Sequence, residues 1–245
     1  MKKEMAIKII VDCAKDYHTH LENRNLLFLF GSSNKLEFFE ASFLPRHFLH
    51  LTGAQIDKSH FSGSSDFYEK ALKNNISPND FSLSVNGTTE KKLLILPQLM
   101  KIYRSAKMVG TYNSIKSELY TEKLAGNVTA CLGFVFDEGY YIPNTALKED
   151  IRDITYKPQQ RILAIFRKPI TAIKYQELCY TAKGVNIDTL VLPRSMKGLL
   201  DLTPDQHKKK TFAEVKANAL KKADTYNKSI EIKEKSTPIK SDPEL

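Results

Sequence analysis

Five of the six histidines fall in three places along the chain: His18 and His20, His47 and His50, and His60. Histidine is the side chain best suited to proton transfer near neutral pH, so these positions come first in any reading of the chemistry. His47 and His50 are three residues apart, a spacing that shares one helical face. With His60 nearby they raise the question of a metal site. Cys13, Cys131 and Cys179 are too widely separated to supply the remaining ligands, so no metal is expected. His18-Thr19-His20 closes the first amphipathic segment, where a cationic imidazole complements the helix dipole. The phosphate loop GxxxxGK[ST], a GxGxxG turn, a GxSxG elbow and an HExxH helix are all missing, which removes support for nucleotide-driven and zinc-peptidase chemistry. No organic cofactor is expected either.

The elements that must position these residues can be read from periodicity. Ala6, Ile9, Ile10, Cys13, Ala14, Tyr17 and Leu21 recur at helical spacing, so residues 4–22 are expected to form an amphipathic helix. Leu26 to Phe30, a turn at Gly31-Ser32-Ser33-Asn34 and Leu36 to Phe43 read as strand, turn, strand. Pro45 suits the first turn of a short helix carrying Phe48, Leu49 and Leu51 and ending at Thr52-Gly53. A helix capped by Ser64 or Ser65 runs to about Asn75, and another follows from Thr88 or Thr89, with Pro97 marking a kink or break. From about residue 107 the texture changes to short β-type segments at 108–112, 119–124, 128–136, 161–167 and 174–181. Turns are expected between them at Gly126-Asn127, Asp137-Glu138-Gly139, Pro143-Asn144 and Lys157-Pro158. The connections are too short for regular βαβ crossovers. The expected fold is therefore α+β: helices packed on a curved antiparallel sheet over residues 1–200. A C-terminal helical extension is expected at 201–227, with its helix at about 212–226 behind a Thr211–Glu214 capping box, and a mobile tail at 228–245.

Composition sets the outer limits. The chain has 245 residues with 42% apolar and 27% charged side chains, proportions of a globular protein. Its net charge of +9 favours polyanionic partners. No apolar run reaches the roughly 18 residues of a membrane span, and Met1-Lys2-Lys3-Glu4 has no apolar signal core behind it, so a cytoplasmic protein without a membrane partner is expected.

Arg46-His47-Phe48-Leu49-His50-Leu51-Thr52-Gly53 is the most distinctive segment. Together with Gly126-Asn127, Tyr141-Ile142-Pro143-Asn144-Thr145, Asp150-Ile151-Arg152 and the run from Ile162 to Lys168, it resembles a family of phage-associated nuclease-like domains (PBECR4-like). That family sits in the Barnase, EndoU, colicin and RelE-like superfamily, and its members are often linked to phages and other mobile elements. The resemblance spans roughly residues 45–185. It implies helices preceding a curved antiparallel sheet, an RNase-type reaction, a bacterial host cell as the location, and RNA or another nucleic acid as partner, with a host protein or immunity partner as a further possibility.

Metal-independent RNA cleavage needs a base for the 2′-hydroxyl proton, an acid for the 5′-oxygen and cations for the charge on phosphorus. On chemistry and motif position, His50 is the first candidate base or acid, and Thr52 the group that orients it or bonds a phosphate. Lys123, Arg167 and Lys168 are candidate phosphate-contacting cations. Asn127 and Asn144 are candidates to position sugar or base edge, and Tyr112 and Tyr141 to stack on an unpaired base. Each type also has a plainer role, as solvated surface charge, turn former or core edge.

Two stretches, residues 91–123 and 150–197, each carry a local charge of +5. A phosphate-binding surface follows if they converge on one face, and an ordinary solvated exterior if they scatter. The leading expectation is an RNA-binding, nuclease-like protein that acts as a metal-independent endoribonuclease. The alternative is a noncatalytic phage-encoded protein that engages a host protein or nucleic acid with the same scaffold. A membrane-surface protein ranks last, because the expected final helix sets mainly alanines opposite its lysines.

Overall fold

The computed structural model describes residues 1–32, 35–116 and 119–201. The helix expected at 212–226 and the tail at 228–245 lie outside the described residues. Helix α1 (Lys3–His20) buries Ala6, Ile10, Cys13, Ala14 and Tyr17, the face its periodicity marks. The hairpin β1 (Arg24–Ser32) and β2 (Lys35–Phe43) follows, antiparallel along its whole length. Strand β1 is buried without alternation because both its faces are covered. Leu26, Phe28 and Phe30 join the main core, and Leu27 and Leu29 join a second cluster with Leu163, Phe166, Tyr175, Ile187 and Met196.

A 3₁₀ turn at Pro45–His47 leads into α2 (Phe48–Thr52), which ends at Gly53 with φ 68°, as its sequence implies. A small pair, β3 (Gln55–Ile56) with β4 (Phe81–Ser82), brackets α3 (Ser64–Leu72) and has no signal in periodicity. The helix starts differ from expectation. Gly63 precedes α3, and the Asp66 carboxylate accepts the Ser62 N–H at 3.0 Å in place of a serine cap. Gly87 precedes α4 (Thr88–Leu99), and Thr89 instead donates its hydroxyl to the Gly53 carbonyl at 2.7 Å, tying α4 to the end of α2. Pro97 lies in the last turn of α4, two residues before its end, and α5 (Ile102–Ser105) follows.

The remaining strands are β5 (Met108–Thr111), β6 (Lys123–Gly126), β7 (Cys131–Asp137), β8 (Tyr140–Leu147), β9 (Gln160–Pro169) and β10 (Glu177–Thr181), with α6 (Ile151–Ile154) between β8 and β9 and α7 (Arg194–Lys197) after β10. The sheet is strongly curled. Its pairing order runs β1-β2-β8-β7-β6-β5-β9 and returns to β1, while β10 adds to the far edge of β9. Every pair is antiparallel except β2 with β8, joined through Ala41 and Tyr141, so the sheet is mixed and the class remains α+β. Helices α1 to α5 contribute Tyr17, Phe48, Phe67, Leu96 and Ile102 to the same core as the concave strand faces.

Pro143-Asn144, expected as a turn, lies inside β8. The register shifts there: Gly133 pairs with Thr145 and Phe134 with Pro143, so Asn144 is the extra residue of a bulge. Proline is tolerated in a strand at such a point because the ladder is already interrupted. Gly133 is required opposite, since a Cβ there would lie 2.6 Å from Thr145 Cγ2 and 2.7 Å from Thr121 Oγ1. No helix among the described residues is long and apolar enough to cross a membrane.

Candidate active site at the mouth of the curled sheet

One end of the curl is open. A cleft of about 190 Å³ lies there, lined by Phe30, Glu37, Thr111, Lys123, Gln160 and the loop residues Tyr156 and Lys157. These come from the last residues of β1 and β5 and the first residues of β2, β6 and β9, so the strand register itself gathers them. Thr111 stands opposite Lys123, and Glu37 opposite Phe30.

The loop that carries Tyr156 and Lys157 is held by backbone pairing to β5. The Tyr156 N–H donates to the Thr111 carbonyl at 3.0 Å, Asn113 N–H to the Ile154 carbonyl at 3.0 Å, and Tyr112 bridges Thr155. Gly110 makes this approach feasible, because a Cβ at that position would lie 2.6 Å from Thr155 Cβ. A Gly110→Ala substitution is therefore expected to push the 154–157 segment outward and cost about 1–3 kcal/mol in urea unfolding, the usual penalty for overpacking.

The Lys123 ammonium lies 5.4 Å from the Tyr141 ring centre and 5.9 Å from that of Phe39, within reach of cation–π attraction to both rings. Phe136, 56% exposed, packs edge-on against Tyr141 at 5.3 Å. Partial burial and the Glu122 carboxylate raise the Tyr141 pKa, which keeps its hydroxyl protonated and able to donate. Glu37 is the one carboxylate lining the cleft, 2.9 Å from the Lys35 ammonium, and Tyr156 offers a ring that is 45% exposed. The arrangement supplies a proton acceptor, two ammonium groups, hydroxyl donors and an open aromatic face. Among the described residues no group of three or more His, Cys, Asp or Glu is placed to hold a metal ion.

Of the residues singled out in the sequence, Lys123 lines the cleft, and Tyr141 stands behind it with its ring 5.4 Å from the ammonium. His50 lies exposed on α2 with its carbonyl bonded to Lys92 Nζ at 2.9 Å, and partial burial and that ammonium lower its pKa. It does not line the cleft. Thr52 is buried at the end of α2, donating to the Leu49 carbonyl at 2.7 Å and accepting from Ala54 N–H at 3.1 Å, so its hydroxyl is fully used in closing the helix. Tyr112 is buried in a third cluster with Leu124, Cys131 and Ile151, which leaves no open ring face for a base.

Asn127 spends its side-chain oxygen on the N–H groups of Thr129 and Ala130 and the Thr129 hydroxyl, an Asx turn joining β6 to β7. Asn144, at the bulge, donates to the Tyr120 carbonyl at 2.5 Å and accepts from Thr121 Oγ1 at 3.2 Å. Arg167 and Lys168 point to opposite sides of β9, as neighbours on a strand must. Lys168 is buried, donating to the Ile173 carbonyl at 3.0 Å with Tyr175 beneath it at 4.9 Å.

Arg167 forms a two-pronged pair with Glu177, at 2.8 and 2.6 Å, and donates to the His20 carbonyl at 2.9 Å. Burial opposes its charge, and the Glu177 carboxylate more than offsets that, so its pKa is raised. This is a tie between α1, β9 and β10. Arg167→Met should cost about 2 kcal/mol in thermal or urea unfolding through the orphaned His20 carbonyl and the lost charged hydrogen bonds.

Glu37, Tyr156 and Lys157 were not apparent from the sequence. Glu37 is one charged residue in an aromatic strand, and Lys157 reads only as the residue before a turn proline. Their one shared signal is position at strand ends, which becomes meaningful only after the sheet closes.

Comparison with known proteins adds a family. The model of phage-Barnase-EndoU-ColicinE5/D-RelE like nuclease 4 matches residues 9–184, from α1 through β10, so the match reaches well N-terminal of the 45–185 span of the motifs and includes the hairpin that carries Glu37. No curated protein and no solved structure matches the chain. The matched segment contains every strand of the curled sheet and the whole lining of its mouth, and on this match the chain belongs to the PBECR4 family of nuclease-like domains.

Proposed function

We propose that the protein binds RNA and cleaves it at the mouth of the curled sheet without a metal or organic cofactor. The observation that carries this reading is the meeting of Lys123 and Lys157, one from each basic stretch of the sequence, around the single carboxylate Glu37 in one cleft. That donor set suits acid–base cleavage. Glu37 takes the proton of the ribose 2′-hydroxyl, and the 2′-oxygen attacks phosphorus. The P–O5′ bond breaks, and Lys157 gives its proton to the leaving 5′-oxygen. Lys123, placed beside Tyr141 and Phe39, balances the negative charge that grows on the phosphoryl oxygens. Tyr156 holds an unpaired base by stacking. Products end in 2′,3′-cyclic phosphate and 5′-hydroxyl.

The test is incubation of the full chain with mixed RNA, single-stranded DNA and duplex DNA, with and without chelator, reading product ends by mass spectrometry. Cyclic phosphate ends from RNA, unaffected by chelator, are expected. RNA binding with no cleavage of any substrate, with or without divalent metal, would favour the noncatalytic alternative, in which the same surface engages nucleic acid or a host protein.

A further inference from the structure

The basic residues do not all gather at the mouth. Lys101 just before α5, Arg104 on it, Lys107 just before β5, Arg161 on β9 and Lys183 after β10 are all exposed. Contacts place them along one continuous strip. The Lys107 ammonium sits 3.9 Å over the Tyr180 ring of β10. The Lys107 carbonyl accepts from Ile162 N–H at 2.9 Å, Met108 pairs with Arg161, and Arg161 Nη2 donates to the Lys183 carbonyl at 2.7 Å. At the other end, the guanidiniums of Arg104 and Arg167 lie 5.5 and 4.8 Å from the two-sided ring of Tyr103, with His20 against the same ring at 5.2 Å. Of the nearby acids, Glu177 is taken up by Arg167, while Asp12 and Asp16 of α1 lie with Lys101 around Cys13 and offset part of the charge at that end of the strip.

We infer that this strip along α5 and β10 is a second, separate binding site that holds the phosphodiester backbone of an RNA strand. The tyrosine rings beside Arg104 and Lys107 restrict these two cations, which lowers the ordering cost of their phosphate contacts. The strip draws again on both basic stretches, 91–123 and 150–197, and so explains the charge that the cleft leaves unused. No large apolar side chain among the exposed ones belongs to it, which sets it apart from a protein-docking or lipid-docking face. That the strand is RNA rests on the function proposed above. The strip itself does not depend on cleavage.

The experiment is fluorescence anisotropy of the full chain with a labelled single-stranded oligoribonucleotide across a salt series, with matched single-stranded and duplex DNA as competitors. Lys101→Glu, Arg104→Glu and Lys107→Glu are combined in one variant, and Lys8→Glu, Lys58→Glu and Lys91→Glu, exposed lysines elsewhere, in a control of equal net charge. The strip variant is expected to bind at least about tenfold more weakly and to lower the slope of log K against log salt by about 2, with the control changed by less than about threefold. Equal losses in both variants would overturn the strip in favour of net charge alone. No loss in either would overturn it outright, and a preference for duplex DNA would overturn the assignment to RNA. Strip-dependent binding by a chain that cleaves nothing would sustain this inference and reject the catalytic one, whereas cleavage that survives with strip-independent binding would do the reverse. Circular dichroism and melting of both variants verify folding.

Discussion

On the proposed reaction, a Glu37→Gln variant is expected to cleave RNA about 10²–10⁴-fold more slowly under single-turnover conditions, the usual worth of a positioned general base, while its affinity for RNA stays within about twofold. The glutamine keeps the size and the hydrogen-bonding edge of the side chain and removes only the proton acceptor. Lys123→Ala should give a similar rate loss together with weaker binding, because that ammonium meets the phosphate in both ground and transition states. Tyr156→Ala should act mainly on binding, by about 1–3 kcal/mol for a lost stacking platform. A rate that is unchanged in Glu37→Gln would remove the base from the proposed reaction. The split between rate and affinity is what a merely structural role of Glu37 could not produce, since its exposed pair with Lys35 contributes little to stability.

The second large effect is on stability. His47, buried beside the start of α2, accepts the Leu44 N–H on Nδ1 at 3.1 Å. Burial, with Arg46 and His50 as positive neighbours, lowers its pKa to about 4. The folded state therefore binds fewer protons than the unfolded state between the ordinary histidine value near 6.5 and about 4. The contribution of neutral His47 is complete above that window and is lost as pH falls through it, by up to about 3 kcal/mol at its lower end. His20 and His50 are also lowered and act in the same direction, so the wild-type slope alone does not isolate one residue. His47→Asn retains an acceptor for Leu44 and cannot titrate. Urea unfolding of both proteins at several pH values between 7 and 4 should show the wild type losing stability faster by that amount. Parallel curves would mean that His47 does not govern the acid limb.

Much of the fold is legible in residues because local chemistry and global pattern agree. Amphipathic spacing in α1, the hairpin run from Leu26 to Phe43 and the Thr52-Gly53 stop all specify what forms. The failures have particular causes. Pro143-Asn144 carries turn chemistry, yet a bulge opposite Gly133 lets β8 run through it. Ser64 and Thr89 are good caps by type, but glycines precede both helices, and at α4 the Thr88 and Thr89 N–H groups donate to Asn86 Oδ1 and Ser84 Oγ.

The site is less legible for a reason of the same kind. Residue type alone draws attention to Arg167, Lys168, Asn127 and Tyr112, whose polar or aromatic groups are occupied within the fold. Both Lys123 and Arg167 lie beside aromatic rings, but Arg167 is taken up by the Glu177 carboxylate whereas Lys123 opens on a cleft. The charge stretches meet in part, while others of their residues, such as Arg152 paired with Asp150 and the buried Lys168, lie apart. Lys123 and Lys157 meet at the mouth, and Lys107 and Arg161 meet beside β10.

The central claim is that chemistry occurs at the mouth of the sheet rather than on the histidine-bearing helical layer. Single-turnover cleavage of one end-labelled oligoribonucleotide by wild type, Glu37→Gln and His50→Ala, each verified as folded by circular dichroism, tests it most directly. Cleavage near the wild-type rate in His50→Ala and a loss of about 10²-fold or more in Glu37→Gln are expected. Loss of cleavage in His50→Ala with Glu37→Gln intact would contradict it and place the reaction on α2.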